Sequence, residues 1–369
     1  MPSAEHTEAA AGPDRPETPA RPVPAVPRTP LVILSSFLLI TLGLGWIIGL
    51  PLVLLDPADR GEAPMDIIYH LFMLSPAVAA VVAYVLERRQ PLHVLYGTEL
   101  GSASPGSTAP EDPSPEPEED ADSLQEPTRS AMRPQTLTDA LGITPLRPVS
   151  RLLGWSVLAL LLFFGLSIAA LPIGGALGVY AFDPSMPIFL QELERRLGHD
   201  GAEFLATGLM VEVGVIFGSA SVLVFLHAGQ EMGWRGYLFP RLQRRWGTAA
   251  AVLISGVTSG LWYAPLLAVG FFYGETSLFE ALGLMVVFAT VIGGLLAWLR
   301  MRSGSIWPAA FAQSMITAAT ILAYWFAEFG PQIDLRQATL QGWSGWLLPA
   351  ALLAGLLLAR RRAFAPAHT

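Results

Sequence analysis

The sequence predicts an all-α fold, a polytopic membrane helix bundle of about eight transmembrane helices. Three observations favour this class. Hydrophobic residues make up 52% of the 369 residues and charged residues only 14%, whereas soluble domains carry about 25% charged residues. The hydrophobic residues form continuous Leu, Ala, Val and Gly runs, and a helix needs about 20 such residues to cross a bilayer. Arginine occurs mostly in alternate loops between these runs, as the positive-inside rule requires.

Seven runs are clearly apolar over the length of a span, namely residues 31–55, 67–86, 152–181, 205–228, 250–273, 278–299 and 343–359. An eighth run, residues 306–327, is interrupted by polar side chains, but its length still fits a span. With both termini in the cytoplasm, the cytoplasmic side collects all of the 22 basic residues except Arg60, Arg195, Arg196 and Arg336. We therefore predict eight crossings of the cell membrane, with the lipid bilayer around the chain and both termini cytoplasmic.

Two segments lack the apolar residues that a packed core requires. Residues 1–30 contain eight prolines and no apolar stretch of a signal peptide, so they are predicted to be a disordered cytoplasmic tail. The acidic, proline-rich stretch 99–135 is predicted to be a disordered cytoplasmic loop. By contrast, residues 186–197 place apolar side chains near helical spacing with Glu and Arg between them, which indicates an amphipathic helix at the outer membrane surface.

The chain therefore divides into a tail (1–30), two spans (31–98), an acidic loop (99–135), a third span with an external segment (152–204), a core (205–327) and a last span with an Arg-rich tail (343–369).

The composition of the chain also excludes several classes of function. The net charge of −8 and the scattered arginines argue against nucleic acid as a partner. The absence of cysteine excludes disulfides and thiolate metal sites.

Ionisable side chains within apolar runs are costly, so each is a candidate functional residue. Glu212, His227, Glu231 and Arg235 lie in or after the fourth run, and His70 lies in the second. Glu231 and Arg235 are four residues apart, where a helix would pair them. Glu212 is expected either to pair with Arg235 or to be protonated.

His227 and Glu231 have a spacing that could place two metal ligands on one helix face. Because a third ligand is missing unless Glu212 or His70 approaches, we favour a hydrogen-bonded histidine over a metal site. No other cofactor is expected.

Three motifs in the second half of the chain resemble those of a known family. Gly229–Leu242 is similar to the stretch G-E-E-x-G-W-R-G-[YF]-L-x-P-R-L, Leu261–Pro265 to a W-H-x-P segment, and Ser305–Thr317 to S-[IL]-W-P-A-x-x-x-H-x-x-x-[ND]. Together they resemble the CPBP intramembrane proteases, named for CAAX protease and bacteriocin processing and also called the Abi family, which include prenyl-protein endopeptidases. The resemblance covers residues 205–327 and implies a CPBP-type helical core.

The resemblance also implies catalytic positions within the membrane. In the family, the leading Glu of the first motif and the His of the second activate a water molecule. The His and Asn/Asp of the third motif then stabilise the developing oxyanion. At these positions this chain has Gln230, Tyr263, Gln313 and Thr317. Of the charged motif residues, only Glu231 and Arg235 are kept.

An amide cannot serve as a base, and an ordinary phenol stays protonated at neutral pH. We therefore expect a catalytically impaired or inactive relative that binds a membrane peptide or partner protein. Gln230, Gln313 and Thr317 would then be interhelical hydrogen-bonding groups, or remnants of the site used for binding. The alternatives are an active endopeptidase that uses altered residues and, last, a transporter or permease component. The transporter ranks last because this sequence lacks the paired broken helices and the charges at the membrane midplane that transporters use.

Overall fold

The computed structural model describes residues 29–56, 62–90, 136–198, 201–359 and 364. Most of the predicted tail 1–30 and all of the predicted loop 99–135 lie outside the described residues. The described residues form the helices α1 (Leu31–Leu54), α2 (Glu62–Arg88), α3 (Leu137–Ala140), α4 (Val149–Ala176), α5 (Pro187–Leu197), α6 (Leu205–Glu231), α7 (Phe239–Trp262), α8 (Ala264–Ala268), α9 (Leu278–Ser303), α10 (Trp307–Ala318), α11 (Leu322–Trp325) and α12 (Leu347–Leu358). Met232–Leu238 is a π-helix between α6 and α7.

The predicted class is confirmed, because the described residues are helical and contain several membrane-length apolar stretches. The five that are long and apolar enough to cross a membrane are Leu31–Leu54, Ile67–Arg88, Val149–Ala176, Leu205–Trp262 and Leu278–Ser303. Many large apolar side chains on these helices are exposed, among them Leu39, Val222 and Phe225. Such surface suits contact with lipid rather than with water.

Three of the eight predicted spans differ in the structure. Within the predicted span 250–273 the long helix ends at Trp262, because Pro265 cannot continue a helix interior and instead begins the short α8. The predicted span 306–327 is divided among α10, a 3₁₀ turn (Ala319–Ile321) and α11. The predicted span 343–359 is a shorter apolar helix, Trp343–Leu358.

The helix α7 is itself interrupted. At Gly247 the backbone has φ 82° and ψ 173°, so Phe239–Trp262 is two helical segments joined at a glycine. A side chain at this φ would be strained, whereas glycine adopts it readily. The break separates the arginine-rich start of α7 from the apolar segment that packs against α9.

The prediction of an amphipathic helix over residues 186–197 is confirmed. In α5 the side chains of Phe189 and Leu193 are buried, whereas Arg195 and Arg196 are exposed. The Phe189 ring lies 4.9 Å from that of Trp325, centroid to centroid, so the apolar face of α5 packs on α11.

Packing among α6, α7, α9 and α10 builds the interior of the bundle. α10 lies against α6 and α4, and α9 lies against α7 and α10. The first family motif lies at the end of α6 and in the π-helix, the second at the end of α7, and the third in α10. The fold therefore brings the three motifs into one region.

Candidate functional site

The three motifs meet through a chain of hydrogen bonds among neutral side chains. The Tyr263 hydroxyl donates to Gln230 Oε1 (3.3 Å), and Gln230 Nε2 donates to His227 Nδ1 (2.9 Å). Because the amide nitrogen can only donate, His227 Nδ1 accepts and its Nε2 carries the proton. His227 Nε2 then donates to Thr317 Oγ1 (3.1 Å), and the Thr317 hydroxyl donates to the main-chain carbonyl oxygen of Gln313 one turn earlier in α10 (3.3 Å). All bonds in the chain run in one direction.

The side chains in this hydrogen-bond chain are buried, so their hydrogen bonds matter for stability. Gln230 and His227 are buried in α6, Tyr263 is buried just after α7, and Thr317 is half-buried in α10. A buried polar group without a partner costs roughly 1–3 kcal/mol, so the bonds offset the desolvation of the side chains that form them. The hydrogen-bond chain also ties the end of α6 to Tyr263, just after α7, and to Thr317 in α10, through bonds between residues 33 and 90 positions apart in sequence.

The Glu231 carboxylate, which lies beside these groups, is engaged in an ion pair. Arg235 Nη1 donates to Glu231 Oε1 at 2.8 Å, and the Glu231 side chain is fully buried. This is the pair expected from the four-residue spacing. The Arg235 guanidinium also lies against Gly293 of α9, where an added Cβ would come within 2.6 Å of Nη2. Glycine at 293 therefore leaves room for the arginine across the helix interface. Glu231 Oε2 has no hydrogen-bond partner among the described residues.

A small cavity of about 20 Å³ lies beside these groups. Its polar lining comes from Gln230, Arg235, Ser259, Tyr263 and Gln313, and its apolar lining from Trp234, Phe288, Ala289, Ile292 and Gly293. A polar cavity of this size can hold about one water molecule. Gln230, Tyr263 and Gln313, one residue from each motif, thus face a common space.

Two of the remaining candidates lie outside the site. Of the two expectations for Glu212, pairing with Arg235 is wrong, since its carboxylate accepts from Arg196 of α5 at 2.7 Å. Glu212 lies in the early turns of α6, where the amphipathic α5 packs, so its partner comes from another helix. His70 is exposed on α2, with its ring 6.1 Å from that of Tyr69.

No group of three or more His, Asp and Glu side chains within the described ranges could hold a metal ion. Both ring nitrogens of His227 face protein partners, Gln230 and Thr317. A metal ion at His227 would have to displace one of these hydrogen bonds.

Several features around the site were not predicted from the sequence. The π-helix Met232–Leu238 carries Trp234 and Arg235, and such segments occur frequently at functional sites. Arg241, in the same motif, pairs with Glu87 of α2 at 2.7 Å and stacks on the Tyr237 ring at 3.7 Å. The three closely spaced glycines 229, 233 and 236 were an available signal, because each packs tightly against a neighbouring segment.

Comparison with known protein families finds a match, which covers the segment that carries the three motifs. Residues 212–319 match the family model described as Rce1-like, type II CAAX prenyl endopeptidase. No curated protein matches the chain as a relative. The matched segment includes Gln230, Tyr263, Gln313 and Thr317, the residues that meet at the cavity. Residues 212–319 of this helical membrane protein are therefore similar to the Rce1-like endopeptidase family, in the region where the three motifs predicted a resemblance.

Proposed function

We propose that this protein is a catalytically impaired CAAX-protease-like membrane protein that binds a membrane peptide or partner protein without cleaving it. The observation that carries the proposal is the neutral hydrogen-bond chain from Tyr263 through Gln230 and His227 to Thr317. It occupies the positions where the family resemblance expects a water-activating Glu and His.

The chemistry of these groups argues against hydrolysis. General-base catalysis requires a group that takes a proton from the attacking water within hydrogen-bonding reach. The Gln230 amide cannot take one, and the Tyr263 hydroxyl already donates its own proton to Gln230. The Nδ1 lone pair of His227, which would have to accept the proton, already accepts a hydrogen bond from the Gln230 amide. Using His227 as a base would require the hydrogen bonds to be reversed or broken.

Binding is compatible with the same geometry. The cavity has room for about one water molecule, so a peptide would contact the site at its rim rather than enter it. Phe288, Ala289 and Ile292 of α9 supply apolar surface there, and Gln313 supplies a polar group. This combination of apolar walls and few polar groups is common in ligand sites.

A second candidate function, hydrolysis with Glu231 as the base, is favoured by one observation. Glu231 Oε2 is buried and has no partner within the described part of the chain, so it could accept a proton. The opposing observation is that Arg235 holds the other oxygen of the same carboxylate at 2.8 Å. An active enzyme would have to use this ion-paired carboxylate.

The two candidates are separated by a cleavage and binding assay on purified protein in detergent. The probe is a fluorescent prenylated peptide that ends in a CAAX sequence. We expect no cleavage by the wild type, and we expect fluorescence anisotropy to rise on binding and to fall when unlabelled peptide competes. An absence of any anisotropy change would overturn the binding proposal.

The variant Glu231→Gln tests the second candidate, and Glu194→Gln, an exposed carboxylate on α5, is its matched control. If the wild type cleaves, and Glu231→Gln alone abolishes cleavage without changing the melting temperature, Glu231 is the working base and the impaired-enzyme proposal fails.

For the membrane topology, we infer the arrangement that the arginine distribution predicts, with both termini in the cytoplasm. Reporter fusions after Pro184 and Glu275 should report the outside, and fusions after Arg245 and Arg302 the inside. One inverted reporter among the four would require a different number of crossings.

A further inference from the structure

A second cavity, of about 360 Å³, lies between α5, α6 and α11. Its volume is within the range of small-molecule sites, whereas the motif cavity has room for about one water molecule. Most of its walls are apolar or aromatic, and its charged lining residues are Glu192, Arg196 and Glu212. The cavity therefore combines apolar walls with a few charged groups, as ligand sites commonly do.

Ion pairs arrange these charges. Arg196 Nε donates to Glu192 Oε1 at 2.6 Å, and Arg196 Nη1 donates to Glu212 Oε1 at 2.7 Å. Glu192 also accepts two hydrogen bonds from Arg195, which is not a lining residue of the cavity. Because Arg195 neutralises Glu192, the cavity presents Arg196 and Glu212 as one cation beside one anion.

Both members of this pair have unused hydrogen-bonding capacity. Within the part of the chain that the structure describes, Glu212 Oε2 accepts no hydrogen bond and Arg196 Nη2 donates none. The Glu212 side chain is 23% exposed and that of Arg196 is 55% exposed, so a ligand can reach both. A ligand that carries one anion and one cation would complement the two groups at once.

The cavity lies near the membrane surface. Glu212 is seven residues beyond Leu205, where the apolar helix α6 begins, which is about 10 Å along the helix axis. The wall formed by α5 is amphipathic, as helices at membrane surfaces are. Ile321 and Tyr324 line the cavity and are also exposed, so the cavity opens at the surface of the bundle.

We propose that this cavity binds the headgroup of a phospholipid that carries a primary ammonium, with the phosphate at Arg196 and the ammonium at Glu212. A guanidinium donates to phosphate oxygens, and a carboxylate accepts from an ammonium group. The rings of Phe189 and Trp325, whose centroids are 4.9 Å apart, supply apolar surface for the glycerol and the start of the acyl chains. These apolar walls and the opening near the membrane surface favour a lipid over a soluble zwitterion. The site is distinct from the motif cavity and does not depend on whether the protein cleaves peptides.

The test measures thermal unfolding of the full-length protein in a non-ionic detergent, because a zwitterionic detergent would compete for the site. The additives are short-chain phosphatidylethanolamine, phosphatidylglycerol with the same acyl chains, and phosphoethanolamine, which has no acyl chains. A ligand that binds only the folded state raises the melting temperature. We expect phosphatidylethanolamine to raise it by at least about 3 °C, and the other two additives to leave it within about 1 °C.

Each other outcome contradicts one part of the proposal. An equal rise with phosphatidylglycerol would overturn the role of the ammonium group. An equal rise with phosphoethanolamine would overturn the assignment to a lipid, and no rise with phosphatidylethanolamine would overturn the site.

Variants locate the effect. Glu212→Gln should abolish the rise with phosphatidylethanolamine, because the amide keeps the size of the side chain but not its charge. Glu194→Gln removes an exposed carboxylate on α5 that is not a lining residue of the cavity, so it should keep the rise. If Glu212→Gln does not fold, Arg196→Gln, which changes a more exposed side chain, serves in its place and should reduce the rise by at least half. A full rise in either folded variant would overturn the assignment.

Discussion

His227 Nε2 lies 3.1 Å from Thr317 Oγ1, and this contact joins α6 to α10 across 90 residues of sequence. His227 is not among the residues that the family resemblance identifies. It nevertheless bonds to two motif positions, Gln230 through one ring nitrogen and Thr317 through the other. The histidine therefore stands at the centre of the hydrogen-bond chain that joins the motif positions.

Replacing His227 with phenylalanine should destabilise the fold by about 1–2 kcal/mol. Two side-chain hydrogen bonds are lost, one to Gln230 within α6 and one to Thr317 of α10. Thermal unfolding in detergent would measure the change. Gln191→Leu, which alters an exposed polar side chain on α5, is the control and should stay close to wild type. If the two variants unfold at the same temperature, His227 does not hold the helices together.

The ion pair of Glu231 and Arg235 should behave as a buried unit. Glu231→Gln or Arg235→Gln alone should cost about 3–5 kcal/mol, because each leaves a buried group without its partner. The double variant should cost less than the sum of the two single variants. Chemical unfolding of all four proteins gives the coupling free energy.

The exposed pair of Glu192 and Arg195 provides the comparison for that cycle. Their side chains are 36% and 70% exposed, so Glu192→Gln should cost much less stability than Glu231→Gln. If Glu231→Gln destabilises the protein as little as Glu192→Gln does, the buried pair contributes no more to stability than the exposed pair.

Restoring the family residues should restore some catalysis if the substitutions explain its loss. We expect the triple variant Gln230→Glu, Tyr263→His and Gln313→His to cleave a prenylated peptide above the wild-type background. General acid–base help is worth about 10²–10⁴ in rate, which sets the scale of the gain. The double variant Tyr263→His and Gln313→His keeps the amide at 230 and should remain inactive. Equal activity in the double and triple variants would show that position 230 is not where the base acts.

The contact between α5 and α6 should depend on acid pH. Hydrogen bonds from Arg195 and then Arg196 lower the pKa of Glu192 from its ordinary 4.5 to about 2. A lowered pKa means that the stabilisation is present above pH 4.5 and is lost as the pH falls through about 2. Protonation of Glu192 also frees Arg196, which bridges to Glu212 of α6.

A spin label can follow this change because the chain has no cysteine, so Gln191→Cys is the single labelling site. The label should become more mobile between pH 4.5 and pH 2. Adding Glu192→Gln should make it mobile at both pH values, and an unchanged spectrum in the parent protein would contradict the prediction.

The sequence by itself determined the class of fold and the local contacts. The bilayer fixes the length of a spanning helix, so apolar runs revealed α1, α2, α4, α6 and α9 without any knowledge of packing. The Glu231–Arg235 pair was predictable for a related reason, since residues four apart on a helix are neighbours whatever surrounds them. The motif positions could also be assigned, because motif spacing is a property of the chain alone.

Only the tertiary structure decided which polar groups meet. The bonds of His227 with Thr317 and of Gln230 with Tyr263 join residues that are 90 and 33 positions apart in sequence, and no local periodicity encodes such pairs. Glu212 was assigned the wrong partner for the same reason, since Arg196 approaches it from a separate helix. The π-helix and the ends of the shorter apolar helices likewise depend on packing between segments. Partner choice for a buried polar group is set by which helices lie side by side, and that information is spread over the whole chain.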